Sequence, residues 1–430
     1  MNQAPTASPA PADLVAAAAT HATCRFCNHP LRHTVADLGM TPMANSYRKP
    51  EELNRMEPFY PLHAYVCEQC FLVQLEAFQS GEEIFSDYAY FSSYVQTMLD
   101  SGKAYAEAMT KRFSLGANSK VVEIAANDGY LLRWFMPMGV PVLGVEPAAN
   151  VAEAARKLGI PMEVLFFGRE TAAALKAKGH AADLMAANNV VAHVPDLNDF
   201  VAGFKVLLKP TGVATFEFHH VLNLLTLGQF DNIYHEHFCY HSLGTFSRIL
   251  AHHGLQVFDV EEIGNHGGSL RVFCQPQGSG VHAVDARVGA MLAREKQAGL
   301  DTLAPYLAFD QRVRAIKRRA LKVLIDAKEQ GKSIAAYGAP AKATSFLTFV
   351  GARSDFIDYT IDRNPNKQNH FLPGLKIPIF GPERLAQTKP DYLLILAWNL
   401  KDEVIRQMGT ELRAWGGKFL VLIPEVEIIE

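Results

Sequence analysis

The sequence predicts an α/β protein in three parts. A small N-terminal cysteine-bearing subdomain is followed by two Rossmann-like units joined by a helix. Three observations carry this. Two CxxC pairs, Cys24/Cys27 and Cys67/Cys70, lie near the start. An apolar run, a small-residue turn, helix-type sequence and a second apolar run ending in an acid occur at 120–146, and again at 333–362. A charged helical stretch, 283–329, lies between the two units.

Bulk properties bound the function. A chain of 430 residues forms roughly two to four domains. Its 49% hydrophobic and 20% charged residues are ordinary for a globular protein. The net charge is −3, so no basic excess points to a nucleic-acid partner. No apolar run reaches the roughly 18–20 residues that span a bilayer, which argues against a membrane partner. The first 20 residues, MNQAPTASPAPADLVAAAAT, lack a basic n-region and read as a flexible tail. A cytoplasmic location is expected, as a monomer or weak oligomer.

The cysteine pairs fall in a subdomain spanning 21–80. Paired CxxC spacing in a cytosolic chain reads as metal rather than disulfide. Four thiolates from Cys24, Cys27, Cys67 and Cys70 complete a tetrahedral Zn²⁺ shell, leaving no open position for substrate. The expected zinc is therefore structural.

The first α/β unit, placed at 81–282, starts with KVVEIAAN (120–127), a turn, and DGYLLRWF opening a helix. PVLGVEP follows as a second strand tipped by Glu146. A small-residue turn admits a ligand to the backbone, and the strand-two acid accepts ribose hydroxyls. The turn, Glu123 to Gly129 with Ala125 and Asn127, is not GxGxxG. It is poor for a pyrophosphate and favours S-adenosylmethionine (SAM) over NAD. MEVLFF (162–167), ADLMAANNVVAHV (182–194) and GVATFEFHH (212–220) read as strands three to five. LQVFDVEEI (255–263) and SLRVFCQP (269–276) are too close for a parallel crossover and form a hairpin. That layout is a class I SAM methyltransferase domain, with adenine expected near Asn188 and Asn189.

The last unit, 330–430, has strands SIAAYG (333–338), DYTID (358–362), DYLLILAWN (391–399) and KFLVLIPE (418–425). Its first turn holds one glycine. The helix N-terminus with Lys342 suits phosphate, and Arg363 and Lys367 are further candidates.

These motifs together resemble the NDP-hexose 3-C-methyltransferases, SAM-dependent enzymes acting on nucleotide-linked 4-keto-6-deoxysugars. The likeness includes both CxxC pairs, YAYFSSY (88–94), EIAANDGYLL, GVEPA, NNVVAHV, QFDNIYHEHFCYHS, HGGSLRVF and GAPAKATSFL. The family usually has Gly-Ser where this chain has Ala125-Ala126. The resemblance implies that the C-terminal Rossmann-like domain holds the nucleotide diphosphate. It also implies an NDP-4-keto-6-deoxysugar as the small-molecule partner, attacked at C3.

NIYHEHFCYHS (232–242) follows strand five, at the sheet edge where ligands bind. It admits three readings: buried core histidines, a metal set built on HxH, or a proton-handling site. Methylating carbon next to a ketone needs a base and a donor to the enolate oxygen, and neutral imidazole suits the task. His237 is then the base, with Glu236 and Tyr234 supporting and His193 facing the keto oxygen. On a strand, His235 and His237 would share a face. Tyr90 and Ser93 are expected to close over the SAM methionine tail, with Glu123, Ala125, Asn127, Gly129, Glu146 and Asn189 lining the rest. His220, Lys342 and Arg363 are the expected substrate contacts. Two other classes compete: an NAD-linked oxidoreductase or epimerase using the last unit, and a non-catalytic zinc-ribbon scaffold.

Overall fold

The computed structural model describes residues 22–85 and 91–430; the expected tail over 1–20 and Tyr90 lie outside the described residues. Near the N-terminus, β1 (His33–Thr41), β2 (Tyr60–Val66) and β3 (Val73–Leu75) form an antiparallel meander. The central sheet opens with four parallel strands. They are β4 (Val121–Ile124), β5 (Val142–Val145), β6 (Met162–Glu163) and β7 (Ala182–Asn188). The strand β8 (Leu208–His219) lies parallel to β7. The next strand, β9 (Cys239–Tyr240), leaves this sheet and pairs antiparallel with β3. The hairpin β10 (Leu255–Ile263) and β11 (Ser269–Pro276) returns to the central sheet. Its order is β10-β11-β8-β7-β4-β5-β6.

The third sheet has order β14-β13-β12-β15-β16-β17. Its strands are β12 (Ile334–Tyr337), β13 (Tyr359–Ile361), β14 (Ile379–Phe380), β15 (Tyr392–Ile395), β16 (Lys418–Val421) and β17 (Glu427–Ile429). All its pairs are parallel except the last. Strands buried on both faces, such as IAAY and YLLI, carry the continuous apolar runs expected of parallel sheets.

The three sheets do not have separate cores. Val35 and Leu62 of the first sheet join Phe309 and Val313 of helix Ala304–Glu329, and Leu347 and Leu372 beyond it, in one cluster. Leu72 and Cys24 join Phe216 and Phe246 in a second. The N-terminal sheet is thus wedged between the two α/β units.

Several expectations are corrected. DGYLLRWF does not open an α-helix; it yields 3₁₀ turns at Leu132–Trp134 and Met136–Met138. Pro137 and Pro141 remove the donors a longer helix needs. The third strand is two residues long because it is an edge strand, paired only with β5. The linking stretch is two helices, Ala286–Gln297 and Ala304–Glu329, broken at Gly299 (φ 80°) with Pro305 opening the second.

One buried acid ties these pieces together. Glu295 accepts from Leu243 N (2.6 Å), Gly244 N (2.8 Å) and the ring of His220 (2.7 Å). It satisfies the free N–H groups of helix Leu243–His252. Replacing it by alanine strands those donors in the interior. Glu295→Ala is expected to lower unfolding stability by about 3 kcal/mol or more, read from the shift of the urea midpoint.

Candidate active site

The carboxyl ends of β4, β5 and β7 meet where an open α/β sheet places its ligands. The β4–β5 turn is tight. Ala125 (φ 55°) and Asn127 (φ 50°) are left-handed, as is Gly129 (φ 77°). For alanine that conformation costs about 1 kcal/mol, which explains why a glycine suits position 125. A Cβ on Gly129 would lie 2.3 Å from Ile160 Cδ1, so this glycine is needed for close packing. Glu146, at the tip of β5, accepts from Asn127 N and Ala148 N, each at 2.9 Å. Asn127 Oδ1 takes Ser92 N (2.9 Å) and Asp128 Oδ2 takes Ser93 N (3.1 Å). The segment before helix Gln96–Arg112 is thereby held over the turn.

Three carboxyl groups, Glu123, Asp128 and Glu146, lie close enough here to interact. Burial, then Glu146 and Asp128, push the Glu123 carboxyl well above its ordinary range. Glu146 is raised by burial too. Among the described residues, Glu123 Oε2, Asp128 Oδ1 and Asn188 Oδ1 are buried without partners. Orphaned acceptors beside these buried acids fit a cationic ligand rich in N–H and O–H donors, which is the chemistry of SAM. Asn189 (φ 58°) follows β7, its N–H donating to Glu217 O at 2.7 Å.

The second group of residues sits in 230–242. His237 N donates to Tyr234 O at 2.9 Å, so YHEH is a four-residue turn and not a strand. His235 and His237 therefore diverge. His235 Nε2 bonds Pro61 O (3.1 Å) beside the Tyr60 and Phe78 rings. The buried Glu236 carboxylate takes Asn45 Nδ2 on both oxygens, at 2.8 and 2.9 Å. It thus faces Asn45 rather than the His237 ring. His237 Nδ1 bonds Asn232 O at 2.9 Å. A carbonyl only accepts, so Nδ1 carries the proton and Nε2 keeps a lone pair. The Tyr234 hydroxyl donates to that lone pair at 2.6 Å. The His193 ring lies 4.6 Å from His237, on the side of the Glu236 backbone carbonyl.

These imidazoles are neutral. Burial lowers His193 to about 4 and His237 well below its ordinary value, with His193 adding to the latter. His219, bonded to Gln229 Oε1 at 2.6 Å, falls to about 3 for the same reason.

The C-terminal unit repeats the first unit's logic. Ala339 N donates to Asp362 Oδ2 at 2.8 Å, as Asn127 N does to Glu146. Lys342 is buried, bonded to Asn399 and 4.7 Å above the Trp398 ring. Trp398 Nε1 donates to Asp231 Oδ2 at 2.6 Å. Lys342 thus belongs to the seam between the units.

Two expected substrate residues have protein partners. His220 is fully buried on Glu295, and exposed Arg363 bonds Gln407 (3.1 Å). Lys367 donates to Ala339 O at 2.9 Å. The sequence reading missed Asn45, Asp231, His219 and Trp398. FDN, one residue ahead of YHEH, was a usable signal for Asp231, whereas only the fold brings Asn45 and Trp398 close.

The four cysteines form one cluster. Cys24/Cys70 and Cys27/Cys67 sulfurs are 3.5 Å apart, and all four lie within 4.8 Å of one another. Zn–S bonds of about 2.3 Å in a tetrahedron put sulfurs about 3.8 Å apart, so the set fits zinc. Bonds from Cys67 and Cys70 hold the Cys24 thiol well below its ordinary range. Gln74 Nε2 donates to Cys24 Sγ at 3.2 Å, supporting the thiolate form. Asn28 (φ 59°) and Phe71 (φ 58°) close the two knuckles.

Family models match three stretches: a zinc binding domain over 24–85, a methyltransferase domain over 98–260, and a C-methyltransferase C-terminal domain over 264–424. C-methyltransferase NovU of Streptomyces niveus is 34% identical over 94% of this chain and 96% of its own. The chain belongs to the sugar C-methyltransferase family. It is a SAM-dependent C-methyltransferase with a zinc-binding N-terminal subdomain. A ubiquinone biosynthesis O-methyltransferase of Rhodopseudomonas palustris is 28% identical over 23% of this chain and 38% of its own. Magnesium protoporphyrin IX methyltransferase from Synechocystis, with bound SAH, aligns at 16% identity over 42% of this chain and 82% of its own, with TM-score 0.33. No helix among the described residues is long and apolar enough to cross a membrane.

Two outcomes are expected. Cys67→Ser abolishes stoichiometric zinc, read by metal analysis, and lowers the unfolding midpoint, because the thiolate shell closes both knuckles. Stability also falls as pH drops below about 6.5. Folded His193 and His241 stay neutral down to about pH 4 and His219 down to about pH 3, and burial holds His237 well below its ordinary value, while the unfolded chain protonates all four. Each contributes up to roughly 1.4 kcal/mol per pH unit in that window. Glu123, Glu146 and Asp231, raised by burial, act in the opposite sense but are fewer. Denaturant midpoints at pH 7.5 and 5.5 test the sign.

Proposed function

We propose that the enzyme methylates C3 of a nucleotide-linked 4-keto-6-deoxysugar through an enolate, with His237 as the general base. The observation that carries this is the Tyr234–His237 pair beside His193: two neutral imidazoles and a phenol, half-buried at the carboxyl edge of the sheet. A carbon acid next to a ketone needs such a neutral base, since a protonated imidazole has no lone pair to offer. The expectation of C3 and of the nucleotide sugar comes from the family likeness.

SAM, when bound, supplies an electrophilic methyl group. The orphaned oxygens of Glu123, Asp128 and Asn188, together with Glu146, would hold it. The proton from C3 passes to Nε2 of His237. Asn232 O holds Nδ1–H in place, so the ring keeps one tautomer and becomes imidazolium on accepting the proton. The Tyr234 hydroxyl occupies Nε2 in the resting geometry. It is displaced by the sugar, or relays the proton while its oxygen faces the sugar. The C3–H electron pair enters the enolate, whose carbon takes the methyl group; the electrons of the broken S–CH3 bond would stay on sulfur, so the spent cofactor would leave as neutral S-adenosylhomocysteine. His193 stands next to this pair as the group facing the keto oxygen. Lys342 and the N-terminus of helix Ala341–Val350 form the side assigned to the nucleotide diphosphate.

The test is product mass and NMR after incubation with SAM and the dTDP-, GDP- and CDP-linked 4-keto-6-deoxysugars. A product 14 mass units heavier, methylated at C3, is the expected result; methylation at oxygen or at C5 rejects the assignment. His237→Ala is expected to lower kcat by about 100-fold or more with SAM affinity within about twofold by calorimetry. Wild-type turnover by that variant removes His237 as base.

A further inference from the structure

The segment 42–48, PMANSYR, lies on the path between the catalytic turn and the C-terminal unit. Thr344 Oγ1 donates to Ala44 O (3.1 Å), and Arg48 and Phe371 exchange backbone bonds at 3.0 and 2.8 Å. The Tyr47 hydroxyl donates to Ala339 O at 2.6 Å, on the loop before helix Ala341–Val350. Lys367 donates to the same carbonyl at 2.9 Å, its Nζ 5.3 Å from the Tyr47 ring centre. Within this strap, Asn45 Oδ1 lies 3.2 Å from the Tyr47 hydroxyl, whose one proton it shares with Ala339 O. The amide oxygen faces Tyr47, and Nδ2 points at Glu236, where it meets both carboxylate oxygens.

Glu236 is held through its side chain, by the Asn45 amide. It is the third residue of the turn whose fourth is His237. A buried carboxylate with a charge-assisted bond keeps one geometry; without it the turn loses its anchor on that side.

We propose that Asn45 is a positioning residue for proton abstraction, holding Glu236 so that the 234–237 turn presents His237, and that Tyr47 ties this anchor to the 338–342 loop of the C-terminal unit. The inference rests on His237 being the base. It assigns the N-terminal subdomain a part in the chemistry that its zinc cluster does not explain: loop 338–342, on the side assigned to the nucleotide, and the proton-handling turn share one hydrogen-bonded strap.

The readout is exchange of the C3 proton of dTDP-4-keto-6-deoxyglucose, or its GDP or CDP counterpart, in D₂O, followed by NMR on the zinc-loaded enzyme. Asn45→Ala is expected to slow exchange about tenfold or more, the size of one charge-assisted bond, with zinc content and SAM affinity retained. If wild-type enzyme exchanges and Asn45→Ala exchanges equally fast, the inference is overturned while the base assignment stands. If wild type exchanges none of the three sugars, the base assignment fails and the inference with it. Should Asn45→Ala not fold, Asn45→Asp decides. It sets a carboxylate against Glu236, with Tyr47, Lys367 and Asp362 beyond and His193 on the turn side. Two adjacent carboxylates share a proton only at lower pH. Exchange by Asn45→Asp is expected to be poor at pH 8 and to recover toward wild type near pH 5.5. A profile parallel to wild type overturns the inference.

Discussion

The antiparallel seam between β3 and β9 is the constraint on which the rest of the molecule depends. Val73 pairs with Tyr240 and Gln74 with Cys239, and Leu75 N reaches Phe238 O at 3.0 Å. This short ladder takes the chain out of the central sheet after β8 and pins it to the zinc subdomain. The preceding residues must then turn, and the turn is YHEH. Gln74 also bonds the Cys24 sulfur, while Thr245 and Arg248 bond Cys70 O at 2.9 and 2.8 Å. The metal knuckles and the turn are therefore two sides of one rigid piece.

Much of this was legible in the sequence, and the reasons are physical. LQVFDVEEI and SLRVFCQP appear with the boundaries read for them, because the five-residue GNHGG connection is too short for a parallel crossover and permits only a hairpin. The CxxC pairs were legible because thiolate spacing is set by local turn geometry. The tips of β5 and β13 were legible because an acid ending an apolar run is unusual unless it caps something. Both acids do bind the N–H of the facing turn.

What escaped the sequence depends on distant residues. The YHEH alternation suggested a strand, but the β9 pairing decides the backbone there, and β3 lies more than 150 residues earlier. Asn45 carries no local signal, and its meaning comes wholly from Glu236. The helix expected after Gly129 failed because Pro137 and Pro141 outweigh an apolar run. His220 looked like a site residue from its place after β8. The structure turns its ring to Glu295, where it helps cap a helix instead of facing the cleft.

The shared core has a consequence for how the chain is made. The N-terminal sheet lacks its fourth strand until residue 240 has been synthesised, and its apolar face stays partly uncovered until Leu347 and Leu372 arrive. The subdomain that emerges first is thus completed late. Its contacts are among the most distant in sequence, and such topology folds slowly. During that interval β3 presents an open edge and four thiols stand unshielded, the circumstances in which nascent chains aggregate or oxidise. Early metal capture by the two knuckles, whose ligands are all present by residue 70, would close the thiol cluster long before the sheet is finished.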